Sequence, residues 1–264
     1  MSTDPSNAYR TAPVDYLTRI TALFGDYKRR ALEFMELRPG EHLLDAGCGT
    51  GDDLLMIGQA MGGAAKLTGV DLDEGTLKAG AARAEKAGIA IDFRQGDLVA
   101  LPLEDDSVDV ARSDRVFQHL PDPVASLGEM IRVTRPGGRV VGVDVDWGTL
   151  VLDHPQADFS DRIAAFARDQ HTNGRSGRML RRWFREAGLD DVEGYADVVC
   201  VTDWEIATYI WTLRDILDRM VRAEEATAAE ADDWWAAAES HAQAGYFCGS
   251  MTGFVFKGTV PDRG

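Results

Sequence analysis

The chain has 264 residues, of which 45% are hydrophobic and 27% are charged. These proportions are those of a globular protein and exclude the disordered and fibrous classes, and the length suits one α/β domain with a modest insertion. The 44 acidic residues outnumber the 28 basic residues and give a formal net charge of -16, so the surface repels nucleic-acid phosphates and anionic membranes.

Cysteine usage and hydropathy indicate a cytoplasmic protein. The three cysteines, Cys48, Cys200 and Cys248, are odd in number and match no zinc or disulfide spacing, so a reducing cytoplasm is the simplest interpretation. Residues 1–10 are polar and lack the apolar stretch of a secretory signal. No apolar run approaches the roughly 18 residues of a membrane span. We therefore expect neither a nucleic-acid partner nor a membrane partner.

Short apolar runs alternate with helical patterns in the first part of the chain. Strands are predicted at Leu43–Ala46, Lys66–Asp71, Ile91–Arg94, Val108–Arg112 and Arg139–Val145. Helices are predicted between them, at Asp52–Met61, Glu74–Ala87 and Val124–Val133. The segment Pro136–Gly138 is predicted to be a turn that begins the fifth strand. This alternation is typical of a parallel sheet with helices on both faces.

The pattern changes after Val145. Helices are predicted over 155–170 and 176–187, a strand over 192–201, a long and mostly helical stretch over 203–241, and strand character over 245–260. The helical stretch therefore lies between the last two strands. We expect an N-terminal helical lid over 1–36, a core made of 37–202 and 242–264, and a helical insertion over 203–241 that caps the substrate.

The segment Leu44–Gly51 ends the first strand in a glycine-rich turn. Glycines at this place let the backbone turn tightly and approach a ligand, and the following helix offers free N–H groups. Asp71 lies at the end of the second strand, where a carboxylate accepts hydrogen bonds from ribose hydroxyls. Together these features predict an adenosine-bearing cofactor. Asp52 stands where a dinucleotide fingerprint needs its third glycine and would repel a pyrophosphate, which disfavours an NAD-dependent oxidoreductase.

Five motifs, in the expected order, resemble those of class I S-adenosylmethionine-dependent methyltransferases of the small-molecule type. They are Leu44–Gly51, Gly69–Leu72, Gln95–Leu98, the pair Leu101–Pro102 with Asp106–Asp109, and Arg132–Gly138. The resemblance covers residues 37–145. It implies a Rossmann-like methyltransferase fold with a mostly parallel seven-stranded sheet, S-adenosyl-L-methionine as the cofactor, and methyl transfer to a small molecule.

The resemblance also implies cofactor-binding roles by position. The residues expected to contact the methionine part are Gly47, Gly49 and Gly51, with Asp45 orienting their loop and Ser113 near the methionine amino group. The residues expected on the adenosine side are Asp71 at the ribose, Leu72 against adenine, and Gly96, Asp97 and Leu98 at the adenine edge. Arg115 departs from the family pattern, and two interpretations stand: it binds the cofactor carboxylate or it forms a structural ion pair with Asp114.

Catalytic candidates follow the fourth and fifth strands. His119 is either a general base or a packed residue that bonds the backbone, and the structural interpretation is favoured. Alternation places Asp144 and Asp146 on one side of the fifth strand. Both could bind an amine or a divalent metal, with Asp146 as the catalytic candidate, and the alternative is that both are solvated loop carboxylates. A third metal ligand is not identifiable, so no metal is predicted.

Other activities remain open at this point. A protein with this fold can bind the cofactor and catalyse a different reaction, as a cyclase or isomerase does. A protein methyltransferase is a further alternative. The tryptophans at 204, 211, 234 and 235 are expected to form the core of the cap, since large aromatic side chains dominate helix packing. The oligomeric state is left open, with a homodimer as one option.

Overall fold

The computed structural model describes Gly25 and residues 27–262. The strands in this part of the chain are β1 His42–Ala46, β2 Lys66–Asp71, β3 Asp92–Gln95, β4 Val108–Asp114, β5 Thr134–Leu152, β6 Asp190–Val201 and β7 Gly249–Thr259. The α-helices are α1 27–35, α2 Asp52–Met61, α3 Glu74–Ala87, α4 Pro123–Val133, α5 Ala157–Asp169, α6 Ser176–Glu186, α7 Trp204–Ile210, α8 Leu213–Arg222 and α9 Ala228–Gln243. A short 3-10 helix, Phe117–His119, follows β4.

The strands form one sheet in the order β3-β2-β1-β4-β5-β7-β6. Pairing is parallel between β1 and β2, β1 and β4, β2 and β3, and β4 and β5. Parallel neighbours need crossover connections, which α2, α3 and α4 supply. The predicted α/β fold with a mostly parallel seven-stranded sheet is confirmed. The chain order reverses between β1 and β4, which makes this pair the topological switch point of the sheet.

Side-chain caps fix where several helices begin. Asp73, Asp122 and Asp203 each accept a hydrogen bond from the backbone N–H three residues later. The side chain of Thr227 accepts from the N–H of Glu230, and the Glu230 carboxylate accepts from the N–H of Thr227 in return. These acceptors satisfy N–H groups that a helix start leaves without an intrahelical partner. The helix starts predicted near these residues therefore lie within a few positions of the observed ones.

Strand β5 is longer than the sequence predicted. The pattern indicated Arg139–Val145 after a turn at Pro136–Gly138, whereas the strand covers Thr134–Leu152. Over that turn β4 advances by two residues while β5 advances by five, and Gly137 has a positive φ of 69°. The predicted turn is therefore a bulge inside β5, because extra residues are accommodated without ending the strand. The predicted start of the fifth strand was wrong for this reason.

The described residues fall into two compact units. The core unit contains Arg29–Val145, Arg175–Ala196 and residues 253–262, and the aromatic unit contains Asp146–Gly174 and Asp197–Thr252. The division falls inside β5, β6 and β7. Most of the N-terminal lid predicted over 1–36 lies outside the described residues, and the predicted boundaries at 202 and 241 stay predictions.

The core unit is built on the apolar faces of its strands and of α4 and α6. Helix α6 buries Leu180, Trp183 and Phe184. The ring of Trp183 lies 6.2 Å from the ring of Phe117. A Cβ at Gly142 would lie 3.0 Å from the Phe184 ring, so the absence of a side chain at this position in β5 lets the ring approach the strand. This packing fixes the segment after β4, which the candidate site uses.

The aromatic unit has a core of its own. The buried indole of Trp234 donates a hydrogen bond from Nε1 to Ser160 Oγ at 3.0 Å and stacks on the His154 ring at 4.6 Å. Trp204 lies 6.2 Å from Trp234 and 5.0 Å from Phe247, measured between ring centroids. Aromatic pairs at these separations add to the stability that area burial provides. None of the helices among residues 27–262 is both long enough and apolar enough to span a bilayer.

Helix α3 approaches the loop after β1 at Gly80. A Cβ at Gly80 would lie 2.8 Å from the carbonyl oxygen of Thr50, a backbone atom that cannot rotate away. Gly128 in α4 is the matched control, because no described atom lies within 4 Å of its Cβ position. We expect Gly80→Ala to lower the free energy of unfolding by about 1–3 kcal/mol through overpacking, and Gly128→Ala to raise it by about 0.5–1 kcal/mol. Denaturant unfolding measures both changes, and equal effects would contradict the packing argument.

Candidate cofactor site

The candidate site lies at the carboxyl ends of β1 and β4. Ligands of open α/β sheets bind outside the carboxyl ends of the strands at the switch point. Asp45, near the end of β1, is the direct register partner of Arg112 in β4. The glycine-rich loop 47–51 follows β1 immediately and leads into α2. The topology therefore brings the loop and the end of β4 to the same edge of the sheet.

The three glycines of the loop after β1 differ in how closely other side chains approach them. Gly47, Gly49 and Gly51 have φ values of 80°, 52° and 68°, a region in which other residues are strained. A Cβ at Gly47 would lie 2.5 Å from Val116, and one at Gly51 would lie 2.7 Å from Phe93. At Gly49 no described atom lies within 4 Å of the Cβ position. Gly47 and Gly51 are thus required by packing, and the backbone at Gly49 is accessible to a ligand.

Asp71 fastens the loop to the end of β2. Its Oδ2 accepts from the Gly49 N–H at 2.8 Å, and its Oδ1 accepts from the Asp73 N–H at 3.0 Å. An ionised carboxylate has about four acceptor positions, so these two bonds leave capacity for ribose hydroxyls. Leu72, the next residue, is 61% exposed. The free acceptor capacity of Asp71 and the exposed side chain of Leu72 are compatible with an adenosine group, and their contacts with ribose and adenine stay predictions.

The predicted adenine-edge residues follow β3. Asp97 is exposed and its Oδ1 accepts from the Val99 N–H at 3.2 Å. A Cβ at Gly96 would lie 2.6 Å from Pro102, so packing within the chain requires a glycine there. Leu98 is buried. The contacts of Gly96, Asp97 and Leu98 with the cofactor stay predictions, and the exposed carboxylate of Asp97 is compatible with accepting from an amino group.

Ser113 and Arg115 stand at the end of β4. The buried Ser113 hydroxyl donates to the carbonyl oxygen of Ala46 at 2.8 Å, which ties β4 to β1. Its predicted contact with the cofactor stays a prediction, and the hydroxyl oxygen keeps lone pairs that can accept from an amino group. Arg115 has a φ of 59°, and its Nε lies 3.4 Å from Asp114 Oδ1. The geometry matches the ion-pair interpretation of Arg115.

Sequence reasoning missed Arg112, a buried cation inside β4. Its Nη2 lies 2.8 Å from Asp114 Oδ2 and 3.0 Å from Asp53 Oδ2, and its Nη1 lies 3.4 Å from Asp45 Oδ2. Burial lowers the pKa of the guanidinium, but the three carboxylates raise the pKa by more, so the net shift is upward and the group stays charged. An arginine directly after the apolar pair Val110–Ala111 of a predicted strand was the signal, since such a charge is buried only with partners.

The catalytic candidates have different environments. His119 is exposed on the 3-10 helix after β4. Asp144 is fully buried and accepts from the N–H groups of Val145 at 2.8 Å and Gln118 at 2.9 Å. Burial raises the pKa of Asp144 to about 7, and its two backbone hydrogen bonds oppose that rise. Asp144 is therefore an anchor for the helix that carries His119, not the solvated loop carboxylate of the alternative interpretation.

Asp146 is also fully buried, so it is not a solvated carboxylate either. Its Oδ1 accepts from the Gly148 N–H at 2.9 Å, and its carbonyl oxygen accepts from the Thr149 hydroxyl at 2.6 Å. This geometry stabilises a turn. A catalytic role for Asp146 stays a prediction. Among residues 27–262, no group of three or more His, Cys, Asp or Glu side chains is arranged to hold a metal ion.

The methyltransferase-domain family profile matches residues 37–188, more than half of the chain. That match contains the glycine-rich loop, Asp71, Asp97 and the end of β4. The chain belongs to this family. It is a class I S-adenosylmethionine-dependent methyltransferase, as the motifs implied, and S-adenosyl-L-methionine is its cofactor.

Two relatives illustrate the range of sequence similarity. A 37.1 kDa protein of a Streptomyces fradiae transposon is 34% identical over 249 residues, covering 92% of this chain and 70% of that protein. The demethylmenaquinone methyltransferase of Desulfitobacterium hafniense is 36% identical over 123 residues, covering 45% of this chain and 48% of that enzyme. The chain spans about half the length of the demethylmenaquinone methyltransferases it matches.

Solved structures show the same fold at lower identity. The YcgJ protein of Bacillus subtilis superposes with a TM-score of 0.61 at 19% identity, over 92% of this chain and 99% of that one. The [4+2]-cyclase SpnF gives 0.58 at 19% identity over 90% and 81%. Phosphoethanolamine N-methyltransferase 2 of Haemonchus contortus, solved with S-adenosyl-L-methionine, gives 0.59 at 17% identity over 92% and 56%. At these identities the likeness concerns the fold.

Asp71 and Asp97 are expected to contribute unequally to the affinity for the cofactor. Asp71→Ala removes a carboxylate that orders Gly49 and is placed for ribose, so we expect cofactor binding to weaken by about 1.5–3 kcal/mol. Asp97→Ala should weaken it less, because adenine keeps its stacking and backbone contacts. Calorimetry with S-adenosylmethionine measures both variants after a melting curve has established that they fold. Parent-like affinity in both would show that these strand ends do not bind the cofactor.

Proposed function

We propose that this methyltransferase transfers a methyl group from S-adenosylmethionine to an oxygen, nitrogen or carbon atom of a small molecule. The net charge of -16 is the observation that carries the proposal, because an acidic surface disfavours a polyanionic acceptor such as RNA. The demethylmenaquinone methyltransferases among the relatives are named for a small-molecule acceptor, which supports the same class. A cytoplasmic location and a homodimer stay predictions.

The residues outside the cofactor motifs are proposed to select the acceptor. Every recognisable cofactor motif lies between Leu37 and Val145, in the core unit. The aromatic unit contributes helices built around Trp204, Trp211 and Trp234. Helices with large aromatic side chains suit an apolar or aromatic acceptor better than a charged one. The helical stretch over 203–241 is therefore proposed as the substrate cap.

The protein's part in the reaction is mainly alignment. The cofactor supplies a methyl group already activated by its sulfonium. The loop at Gly49 and the carboxylate of Asp71 hold and orient the cofactor, and surrounding residues exclude water from the acceptor. A base is needed only for an acceptor that arrives protonated, such as an alcohol or phenol. His119 is the proposed base in that case, and for other acceptors it orients the segment after β4.

Incubation with methyl-labelled S-adenosylmethionine tests the acceptor class. Three acceptor pools are compared: small metabolites, intact proteins and RNA. We expect label to appear in the small-molecule fraction and to depend on Asp71. Label in protein or RNA would overturn the small-molecule assignment. A converted substrate without transferred label would show that the chain catalyses a rearrangement such as cyclisation instead.

The pH dependence of the reaction rate distinguishes a general-base role of His119 from an orienting role. If His119 only orients its segment, His119→Ala should retain a parent-like pH–rate profile with a modest loss of rate. If it is the base, the variant should lose the limb near neutral pH and turnover should fall by about 100-fold or more. His119→Asn, which keeps a hydrogen-bonding group without a titrating one, is the control. We expect the first result for an acceptor that arrives unprotonated, such as a neutral amine, and the second for a hydroxyl or a carbon acid.

A further inference from the structure

The ends of the cofactor loop share one cation. Asp45 directly precedes Ala46 and the glycines, and Asp53 lies in the first turn of α2 after them. Both carboxylates contact the Arg112 guanidinium, at 3.4 Å and 3.0 Å. All three side chains are largely buried, with 4% of the Arg112 side chain exposed. Arg112 of β4 therefore links the two ends of the glycine loop through its ion pairs with Asp45 and Asp53.

A glycine-rich loop needs such a link between its ends. Glycines lose more conformational freedom on ordering than any other residue and bring no side chains that pack. The carboxylates of Asp45 and Asp53 are fixed instead by a charge in a poorly hydrated place, where electrostatic attraction is strong and a departing partner leaves an unpaired charge. The ion pairs of Arg112 therefore fix the distance between the end of β1 and the start of α2, and with it the position of the backbone at Gly49.

We propose that Arg112 is a positioning residue for the cofactor: it sets the shape of the glycine loop through Asp45 and Asp53 without contacting the cofactor itself. A purely structural role would make Arg112 important for stability alone. The pair Glu41–Arg139 offers the comparison. It is an ion pair of similar burial, with both side chains 10% exposed, and Glu41 lies just before the opposite end of β1.

Matched substitutions separate positioning from stability. Asp53→Asn removes the ion pair between Arg112 and the first turn of α2, and Glu41→Gln weakens the Glu41–Arg139 control pair. We expect both variants to melt at lower temperatures than the parent. Only Asp53→Asn should bind S-adenosylhomocysteine about tenfold more weakly by calorimetry, the size expected for a lost charge-assisted contact.

Arg112→Lys provides the second arm. The ammonium keeps the charge but lacks the planar fork that reaches several carboxylates, so we expect a folded variant with affinity between those of the parent and Asp53→Asn. Parent-like affinity in the folded Asp53→Asn and Arg112→Lys variants would overturn the proposal. Equal losses of affinity in Asp53→Asn and Glu41→Gln would overturn it as well, since the effect would then follow stability.

A different observation concerns two thiols in the aromatic unit. Cys200 lies in β6 and Cys248 directly precedes β7, and these strands are neighbours in the sheet. Their Sγ atoms are 3.5 Å apart although 48 positions separate them in the chain. The side chain of Cys200 is exposed, while Cys248 is partly buried. The sequence spacing predicted no disulfide, and the fold brings this pair together.

We propose that Cys200 and Cys248 form a reversible disulfide with a low-molecular-weight disulfide as the oxidant. The exposed Cys200 thiolate attacks one sulfur of the oxidant, giving a mixed disulfide and releasing one thiol. The Cys248 thiolate then attacks the Cys200 sulfur, and the second thiol of the oxidant leaves. Two protein thiols are oxidised and one small disulfide is reduced to two thiols. The Sγ atoms must approach by about 1.5 Å to reach the bond length of a disulfide.

Titration with oxidised and reduced glutathione tests this pair. After alkylation of the remaining thiols, mass spectrometry should show a peptide pair linked through Cys200 and Cys248, with loss of the link on adding dithiothreitol. Cys48 is the internal reference, because burial raises the pKa of its thiol and it should remain reduced. Cys248→Ser should stop at the mixed disulfide on Cys200. Persistent mixed disulfides on both cysteines of the parent, without the link, would overturn the proposal.

Discussion

One buried guanidinium forms ion pairs with three carboxylates at the point where the sheet reverses its strand order. Arg112 stands opposite Asp45 in the strand register and also contacts Asp53 and Asp114. Removing one partner from a buried ion pair costs about 3–5 kcal/mol, because the remaining charge is left without compensation. Without Arg112, three carboxylates would face one another in a place with little water. The glycine loop, the start of α2 and the end of β4 all depend on this one cation.

The acidic character of this region also suits the cofactor. A pyrophosphate at the start of α2 would meet the carboxylate of Asp52, which forms an ion pair with Arg83 and accepts from the Thr50 hydroxyl at 2.6 Å. A sulfonium carries positive charge and has no phosphate, so neighbouring carboxylates favour its binding. The Asp52 carboxylate, which disfavours a dinucleotide, is therefore no obstacle to S-adenosylmethionine. Fold and charge select the same cofactor.

Local patterns predicted the parts of the fold that local chemistry determines. The bounds of α2, β2 and α3 agree with the sequence prediction, because glycine turns and capping residues mark their ends. The bulge in β5 escaped prediction, since Pro136–Gly138 has the composition of a turn and only pairing with β4 keeps it within the strand. The proximity of Cys200 to Cys248 was equally invisible, because it arises from two strands far apart in the chain.

The site residues also divide into those that local sequence identifies and those that depend on long-range contacts. The glycines and Asp71 could be proposed as cofactor residues from their spacing, since a glycine turn and a carboxylate at strand ends are recognisable from local sequence. Arg112 could not be assigned a role, because its three partners come from two strands and a helix. Asp144 appeared from alternation to be a ligand, whereas burial and the Gln118 N–H make it an anchor. Long-range pairing of charged groups is the information that local periodicity lacks.

The two units carry different constraints. In the core unit, charge and glycine geometry are fixed by contacts that any substituted residue would disturb, as at Gly47 against Val116 and Gly51 against Phe93. In the aromatic unit, Trp204, Trp234 and Phe247 meet through apolar ring contacts, and such contacts tolerate changes of shape and size when volume is conserved. Under the proposal that the aromatic unit selects the acceptor, the acceptor can change with these ring contacts while the core unit is retained. That proposal places acceptor specificity among the aromatic side chains and cofactor affinity among the charged ones.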